Sequence, residues 1–278
     1  MKNDAIQELI IYWNTYFKEQ NNNLVEIDLR EFNGLPAQLI ESFDLEYYPE
    51  PFYGYLHEDM SKDVFMPLIN PGQMNIADLS KLYGKGKDEQ IVKLSNAHVK
   101  NKHLTWNSKD YCLREIEFEQ FLGKKHWRNT KLQQVQKLVQ EDIPFLHTIE
   151  FFPYHSKSWN LRKSLQQDWI YDLASTKLAI NAVEEISCNR LVKYILAIGK
   201  VWVDILMHYK DRFIIEDYVE LLGPKGGRAH NIYKIRPIHA MNALPIVIYS
   251  GASMNLPAND KRAVEILKSY LEVDIKVK

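Results

Sequence analysis

The chain contains few cysteines that could bind a metal ion or form disulfide bonds. It contains only two cysteines, Cys112 and Cys188, with no Cys-x-x-Cys pair and no histidine at ligand spacing. Two cysteines cannot build a four-cysteine zinc or iron–sulfur site, and we expect both to be buried thiols. The histidines and acidic residues are scattered without a convincing ligand cluster, so the sequence predicts no metal and no cofactor.

Long apolar runs and a strong net charge are also missing. No apolar stretch approaches the roughly 18 residues that a membrane-spanning helix needs. The first residues lack the basic start, apolar core and cleavage site of a signal peptide, so we expect a cytoplasmic protein with no membrane partner. The formal net charge of -1 provides no overall field that would attract nucleic acid. Any contact with DNA must therefore come from a local group of basic residues.

Length and pattern together predict one α/β domain. The 278 residues fit a single large domain, and no internal repeat or low-complexity tract divides them. Apolar segments alternate with helical patterns, which is typical of a parallel sheet covered on both faces. The predicted architecture is a three-layer α/β/α fold with a central, mainly parallel four-stranded sheet. Its strands are predicted at 64–69, 145–152, 191–198 and 244–249.

Other segments are predicted around these strands. Apolar residues recur at helical spacing over 4–17, which predicts an amphipathic helix within a helical extension that spans 1–44. The weakly patterned segment 75–130 is interpreted as an insertion after the first strand. The aromatic, proline-interrupted segment 43–55 is predicted to be an ordered loop without a regular element. Further helices are predicted at 131–140, 161–185, 200–206 and 258–271, and a hairpin tip at 223–228 that leads into a short strand at 231–235.

The segment 66–73, Met-Pro-Leu-Ile-Asn-Pro-Gly-Gln, is the most informative part of the chain. An apolar strand ends there in Asn-Pro-Gly, which favours a tight turn because proline fixes φ and glycine accepts a positive φ. An ordinary strand-ending turn explains this pattern on its own. A functional interpretation is also open, because open α/β sheets bind ligands at the carboxyl ends of their strands, where the turn would hold Asn70.

Four segments resemble, in their order, the motifs of the uracil-DNA glycosylase superfamily. They are 69–72 (Ile-Asn-Pro-Gly), 150–153 (Glu-Phe-Phe-Pro), 195–200 (Ile-Leu-Ala-Ile-Gly-Lys) and 250–255 (Ser-Gly-Ala-Ser-Met-Asn). The first is similar to the Asn-Pro-Gly motif of the mismatch-specific and single-strand-selective subfamilies. A Pro-Glu-Pro-aromatic segment, 49–54, also precedes the first strand, as in many relatives. The resemblance implies an α/β fold and hydrolysis of the N-glycosidic bond of a base flipped out of DNA.

The resemblance assigns roles to residues of the first two motifs. Asn70 would position the attacking water, since an amide offers a donor and an acceptor without carrying charge. Gly72 would let the backbone approach the flipped base closely. The neighbouring Gln73 amide would hydrogen-bond to that base, and Phe151 is a candidate to stack on it.

Glu150 departs from the family pattern. Members that recognise uracil usually place an asparagine at this position. An ionised carboxylate only accepts hydrogen bonds, whereas a buried, protonated Glu150 would donate to a ring atom and accept from an exocyclic amino group. We therefore hypothesise a preference for an amino-bearing or otherwise modified base. The alternative is that Glu150 forms an ion pair with a nearby basic residue such as Lys157.

The last motif departs from the pattern as well. Ser250 stands where many relatives have a histidine that stabilises the leaving base, although mismatch-specific relatives also lack it. A hydroxyl or backbone donor stabilises the departing base less well, so we expect a slower enzyme or a base that leaves more easily. The following loop is similar to the closing loop of the single-strand-selective enzymes, which assigns Ser253 and Asn255 to DNA contacts. Met254 would wedge into the base stack or, alternatively, pack onto the core.

A basic residue lies beside the third predicted strand. Lys200 opens the helix that follows this strand, a place suited to contact with a phosphate group. With other loop lysines and arginines it would form the local basic group that the neutral net charge requires. Lysines in loops are usually only solvated, and this alternative stays open.

Three functions are compatible with these features. The leading interpretation is a monofunctional DNA N-glycosylase of DNA repair, which uses no cofactor and has DNA, including single-stranded DNA, as its partner. The second is a nucleic-acid-binding descendant that keeps the pocket but has lost efficient chemistry. The third is a hydrolase of free nucleosides or nucleotides, which needs neither a wedge loop nor a basic group. Base release separates the first from the second, and binding of an oligonucleotide separates both from the third.

Overall fold

A mixed β-sheet of seven strands lies at the centre of the fold. The computed structural model describes residues 4–19, 28, 32–71, 88–105, 108–114, 127–156, 166–222, 230–240, 242–251, 255–257 and 260–273. In chain order the strands are β1 (Phe52–Tyr53), β2 (Val64–Leu68), β3 (Leu146–Glu150), β4 (Tyr194–Ile198), β5 (Phe213–Leu221), β6 (His230–Pro237) and β7 (Ile246–Ser250). Across the sheet they follow the order β1-β3-β2-β4-β7-β6-β5.

The four predicted strands are confirmed as the parallel centre of this sheet, in the order β3-β2-β4-β7. The predicted extent of four strands is wrong, because three antiparallel strands widen the sheet. β1 pairs with β3 at one edge, inside the segment that we expected to lack regular structure, and the hairpin of β5 and β6 pairs with β7 at the other. Most residues of β5 are exposed, so this strand lacks the buried apolar run that marks the central strands.

Helices cover both faces of the sheet. Those that the structure describes are α1 (Asp4–Glu19), α2 (Ala37–Ile40), α3 (Asp88–Thr105), α4 (Trp127–Val139), α5 (Trp169–Asp172), α6 (Ala174–Cys188), α7 (Val201–His208) and α8 (Lys261–Tyr270). Among these, α1, α4, α7 and α8 agree with predicted helices to within a few residues. The predicted helix 161–185 is interrupted at Leu173, whose φ of -56° and ψ of 136° are not helical. No described helix is both long and apolar enough to cross a membrane.

The three-layer arrangement is visible in the alternation of side chains along β4. Ile195 and Ala197 belong to the core that contains α1, α6 and α7. Leu196 and Ile198 belong to the opposite core, which contains α4 and α8. Successive residues of a strand point to opposite faces, so one buried strand contributes to both cores. The sheet is therefore enclosed between two layers of helices.

The strand order creates a topological switch point beside β2. From β2 the chain continues to β3 on one side and then to β4 on the other side of β2. In open α/β sheets the crevice outside the carboxyl ends of the strands at such a point is the usual place for a ligand. The residues that follow β2, β3 and β4 therefore surround the position that the topology favours for a site.

A buried aspartate from the N-terminal part of the chain, Asp28, contacts the start of α6 and provides a test of this fold. Asp28 is fully buried and accepts hydrogen bonds from the Tyr154 hydroxyl at 2.6 Å and the Ala174 backbone N–H at 2.9 Å. We expect Asp28→Ala to lower the free energy of unfolding by about 2–4 kcal/mol, because it leaves buried donors without an acceptor. Urea denaturation measures the loss. Tyr154→Phe should recover part of it in the double variant, whereas strictly additive effects would contradict the pairing.

Candidate functional site

Asn70 lies two residues beyond the end of β2 and is half-buried. Its Nδ2 donates a hydrogen bond to Ser156 Oγ at 2.8 Å. Ser156 is itself held in place by a bridge to Phe43. Within the described part of the chain, Asn70 Oδ1 has no hydrogen-bond partner. The amide is thus fixed through its donor while its acceptor is available to a water or a ligand.

Glu150 is the last residue of β3 and lies opposite Leu68 of β2. The parallel pairing continues past both strands, since the backbone N–H groups that follow Glu150 donate to the carbonyls of Leu68 and Ile69. Asn70 lies two residues beyond Leu68, so Asn70 and Glu150 are at the same edge of the sheet, at the carboxyl ends of neighbouring strands. Strand spacing and residue rise place the Cα atoms of Asn70 and Glu150 roughly 8 Å apart. The structure therefore brings these two predicted site residues together.

The side chain of Glu150 is in an unusual environment. The residue is 6% exposed, and its Oε2 has no hydrogen-bond partner among the described residues. Burial raises the pKa of Glu150 well above its ordinary value; the charge of Arg128 opposes this shift and the charge of Glu50 adds to it. Burial therefore favours the neutral carboxyl, which offers one donor and one acceptor. The alternative partner Lys157 lies outside the described residues.

A second glutamate lies close to Glu150. Glu50, which precedes β1, accepts from Lys102 Nζ at 3.3 Å through Oε2, and its Oε1 lies 3.5 Å from His155 Nε2. Lys102 belongs to α3, so this ion pair ties the predicted insertion to the edge of the sheet. The sequence analysis missed Glu50 as a site residue, although the Pro-Glu-Pro segment that contains it was a usable signal.

Phe151 is part of the hydrophobic core and does not face the crevice. Its exposure is 0%, and its ring packs against those of Tyr171 and Trp202 at centroid distances of 5.8 and 6.2 Å. The predicted stacking of Phe151 on a base is contradicted by this burial. The physical reason is strand alternation: Glu150 and Phe151 are consecutive residues, so their side chains point to opposite faces.

The turn that follows β4, at Gly199, has free space around it. Gly199 has a φ of +106°, and a Cβ added there would meet no described atom within 4 Å. Its backbone N–H donates to the Tyr249 carbonyl at 2.8 Å, which fixes the turn. Lys200 follows immediately, is exposed, and directly precedes α7. The position of Lys200 beside an open turn is compatible with its predicted contact to a phosphate.

Ser250 lies at the same edge of the sheet but farther from Asn70. It is the half-buried last residue of β7 and pairs with Asn231 of β6. Three strand spacings, roughly 15 Å, separate β7 from β3. Ser250 and Glu150 are therefore too far apart to contact the same edge of one base. A histidine that the sequence analysis missed, His230, lies here instead, with its Nδ1 2.5 Å from the Tyr249 hydroxyl.

Asn255 contacts the neighbouring helix. Its Oδ1 accepts hydrogen bonds from Lys131 Nζ at 3.1 Å and Gln134 Nε2 at 3.0 Å, both on α4. These bonds give Asn255 a structural role beside its predicted contact with DNA. The predictions for four further residues lie outside the described part of the chain and stay predictions: Gly72, Gln73, Ser253 and Met254.

Comparison with known proteins and a survey of metal-binding side chains identify no class for this site. No family model, no curated protein and no solved structure matches the chain. In the described ranges, no group of three or more His, Cys, Asp and Glu side chains is placed to hold a metal ion. The resemblance to uracil-DNA glycosylases thus depends on the four motifs alone.

Proposed function

We propose that this protein is a DNA glycosylase-like hydrolase that releases a base flipped into the crevice beside β2, β3 and β4. One observation supports this most directly: Asn70 and Glu150 lie at the carboxyl ends of neighbouring parallel strands, and each has a polar oxygen without a described partner. Base hydrolysis needs a water held near the sugar carbon and a polar group on the departing base. Asn70 can hold the water, and Glu150 can provide the polar group that contacts the base.

In this proposal Asn70 holds the water. Its hydrogen bond to Ser156 restricts rotation of the amide and leaves Oδ1 to accept a hydrogen bond from the water. An amide does not take up a proton at neutral pH, so Asn70 orients the nucleophile and does not act as a base.

Glu150 recognises the base in the same proposal. A neutral carboxyl can donate to N3 and accept from the 4-amino group of cytosine, or make the equivalent pair with adenine. Since either oxygen can hold the proton, it can also donate to O4 and accept from N3–H of uracil. The proposed substrates are therefore bases with an adjacent donor and acceptor. The preference for an amino-bearing base stays a prediction within this class.

Contact with DNA is assigned to the exposed edge of the same crevice. Lys200 is exposed directly before α7, where its ammonium group can reach a phosphate beside the flipped nucleotide. We place the protein in DNA repair in the cytoplasm, with DNA as its partner and no cofactor. Since Lys200 is one charge, we expect only a shallow dependence of this contact on salt.

The test is an alkali-cleavage assay on single-stranded and duplex oligonucleotides. Each contains one uracil, hypoxanthine, xanthine, or unmodified or modified cytosine. Strand scission at that position, absent with heat-denatured protein, is the expected result. Binding without scission would contradict catalysis and identify a nucleic-acid-binding protein. Neither scission nor binding would contradict the DNA substrate, and free nucleosides would then be tested.

A further inference from the structure

The buried carboxyl of Glu150 can do more than form hydrogen bonds to a base. We propose that Glu150 is the general acid of the reaction, which gives its proton to the base as the N-glycosidic bond breaks. This inference rests on the proposed function and deepens it, because it identifies the substrates as bases that leave poorly as anions. Such bases need a proton donor at their edge in the transition state.

The first support is the missing partner of Glu150. Buried polar side-chain atoms nearly always have a hydrogen-bond partner, and an exception needs an explanation such as a catalytic role. Arg128, whose guanidinium lies 3.9 Å from the centroid of the Tyr53 ring, acts on Glu150 through its charge. Among the described residues, Glu150 Oε2 is therefore buried with its hydrogen-bonding capacity unused.

The second support is the position of Glu150 relative to the other strand ends. A base whose sugar carbon lies at the water of Asn70 extends toward one of the neighbouring strands. β3 is adjacent to β2, whereas β7 is separated from β2 by β4. Glu150 can therefore contact the leaving base at a site where Ser250 is too distant to stabilise it.

The third support is the charge around the carboxyl. Two charged groups act on Glu150 from the elements packed against it: Arg128 at the start of α4 and Glu50 before β1. Lys102 and His155 lie against the oxygens of Glu50 and fix its position. Burial raises the pKa of Glu150 and the nearby Glu50 adds to this, so both favour the protonated carboxyl that the proposed transfer requires.

The proposed step balances as a hydrolysis. The bond between C1′ and the base nitrogen breaks, and its electron pair goes to the base. The Glu150 proton moves to a nitrogen or oxygen of the base, which leaves as a neutral molecule. The water at Asn70 adds its oxygen to C1′ and releases one proton to solvent, from which Glu150 is reprotonated. One water is consumed, and nothing is oxidised or reduced.

Glu150→Gln tests this step, because glutamine keeps a donor and an acceptor but has no acidic proton. We expect single-turnover release of uracil to slow by about 10²- to 10⁴-fold, with oligonucleotide affinity little changed. 5-Fluorouracil leaves more easily as an anion, so its release should be slowed at least about tenfold less than that of uracil. If a cytosine derivative is the best substrate, cytosine and 5-fluorocytosine form the same pair.

Two further variants separate proton donation from structural loss. Glu50→Gln removes the negative charge beside Glu150, lowers the pKa of that carboxyl, and should shift the alkaline fall of base release to lower pH. Glu220→Gln removes a charge from exposed β5 and should leave rate and pH profile unchanged. An unchanged rate in Glu150→Gln, or equal losses with uracil and 5-fluorouracil, would overturn the inference while wild-type release still supported the proposed function. No release by the wild-type protein would overturn both.

Discussion

Replacing Asn70 with alanine should slow base release by about 10²- to 10³-fold, a loss typical of one well-positioned polar group in an active site. The variant removes the only side-chain oxygen that this proposal places on the attacking water. Asn70 is half-buried beyond the end of β2 and makes its described hydrogen bond to Ser156 alone. The folded structure should therefore tolerate the change. Single-turnover alkali-cleavage kinetics on the best substrate, with thermal unfolding in parallel, measure both effects.

Two variants serve as controls for Asn70. Asn231→Ala removes an amide at the same edge of the sheet, where its Oδ1 accepts from the Tyr218 hydroxyl, and should leave the rate nearly unchanged. Ser156→Ala removes the acceptor that fixes Asn70 Nδ2 and should slow release by about tenfold, because the amide can then rotate. A wild-type rate in Asn70→Ala would contradict its role and show that the water is held by another group.

Gly54→Ala should cause the largest loss of stability, about 3–5 kcal/mol, because backbone strain and overpacking add at one position. Gly54 has a φ of +119°, and a Cβ there would overlap His147 Nδ1 and press on the Phe145 ring. The imidazole cannot move aside easily, since its Nε2 lies 3.1 Å from Asp63 Oδ2, which also accepts from the Tyr55 hydroxyl at 2.6 Å. Urea denaturation measures the loss.

Gly199→Ala is the matched control for Gly54→Ala. Gly199 also has a positive φ, of +106°, but no described atom lies within 4 Å of the added Cβ. This variant should lose only about 1–3 kcal/mol, the cost of the backbone conformation alone. The difference between the two variants isolates the steric overlap at His147. Equal losses would show that the pocket around Gly54 relaxes and would contradict the expected overlap.

The central strands could be predicted because each is a continuous apolar run that ends at a turn residue. The run that contains Val64–Leu68 continues to Ile69 and then meets Asn-Pro-Gly, and Tyr194–Ile198 is followed by a glycine. β1 has two residues, and β5 has mostly exposed side chains, so neither has such a run. Sequence patterns therefore identified the strands that are buried on both faces and missed those at the edges of the sheet.

The candidate site was predictable only where a residue ends a central strand or follows its end within two residues. Asn70 and Glu150 meet this condition, and strand alternation alone would have separated Glu150 from Phe151. The contact between Glu50 and Lys102 joins residues 52 positions apart in the chain. The contact between Tyr249 and His230 joins β7 to β6. No local sequence pattern predicts such pairs, because they depend on how distant segments of the chain pack.

The groups proposed to act on the substrate lie at strand ends and apart from the centres of the hydrophobic cores, and this separation has an evolutionary consequence. Each group proposed to act on the substrate lies at or just beyond the carboxyl end of a different strand, while the two hydrophobic cores lie within the sheet and its helices. Mutations at Asn70 or Lys200 can therefore alter chemistry with little change in packing. A lineage with this architecture can exchange one substrate for another through single connecting segments, and its descendants should diverge fastest there.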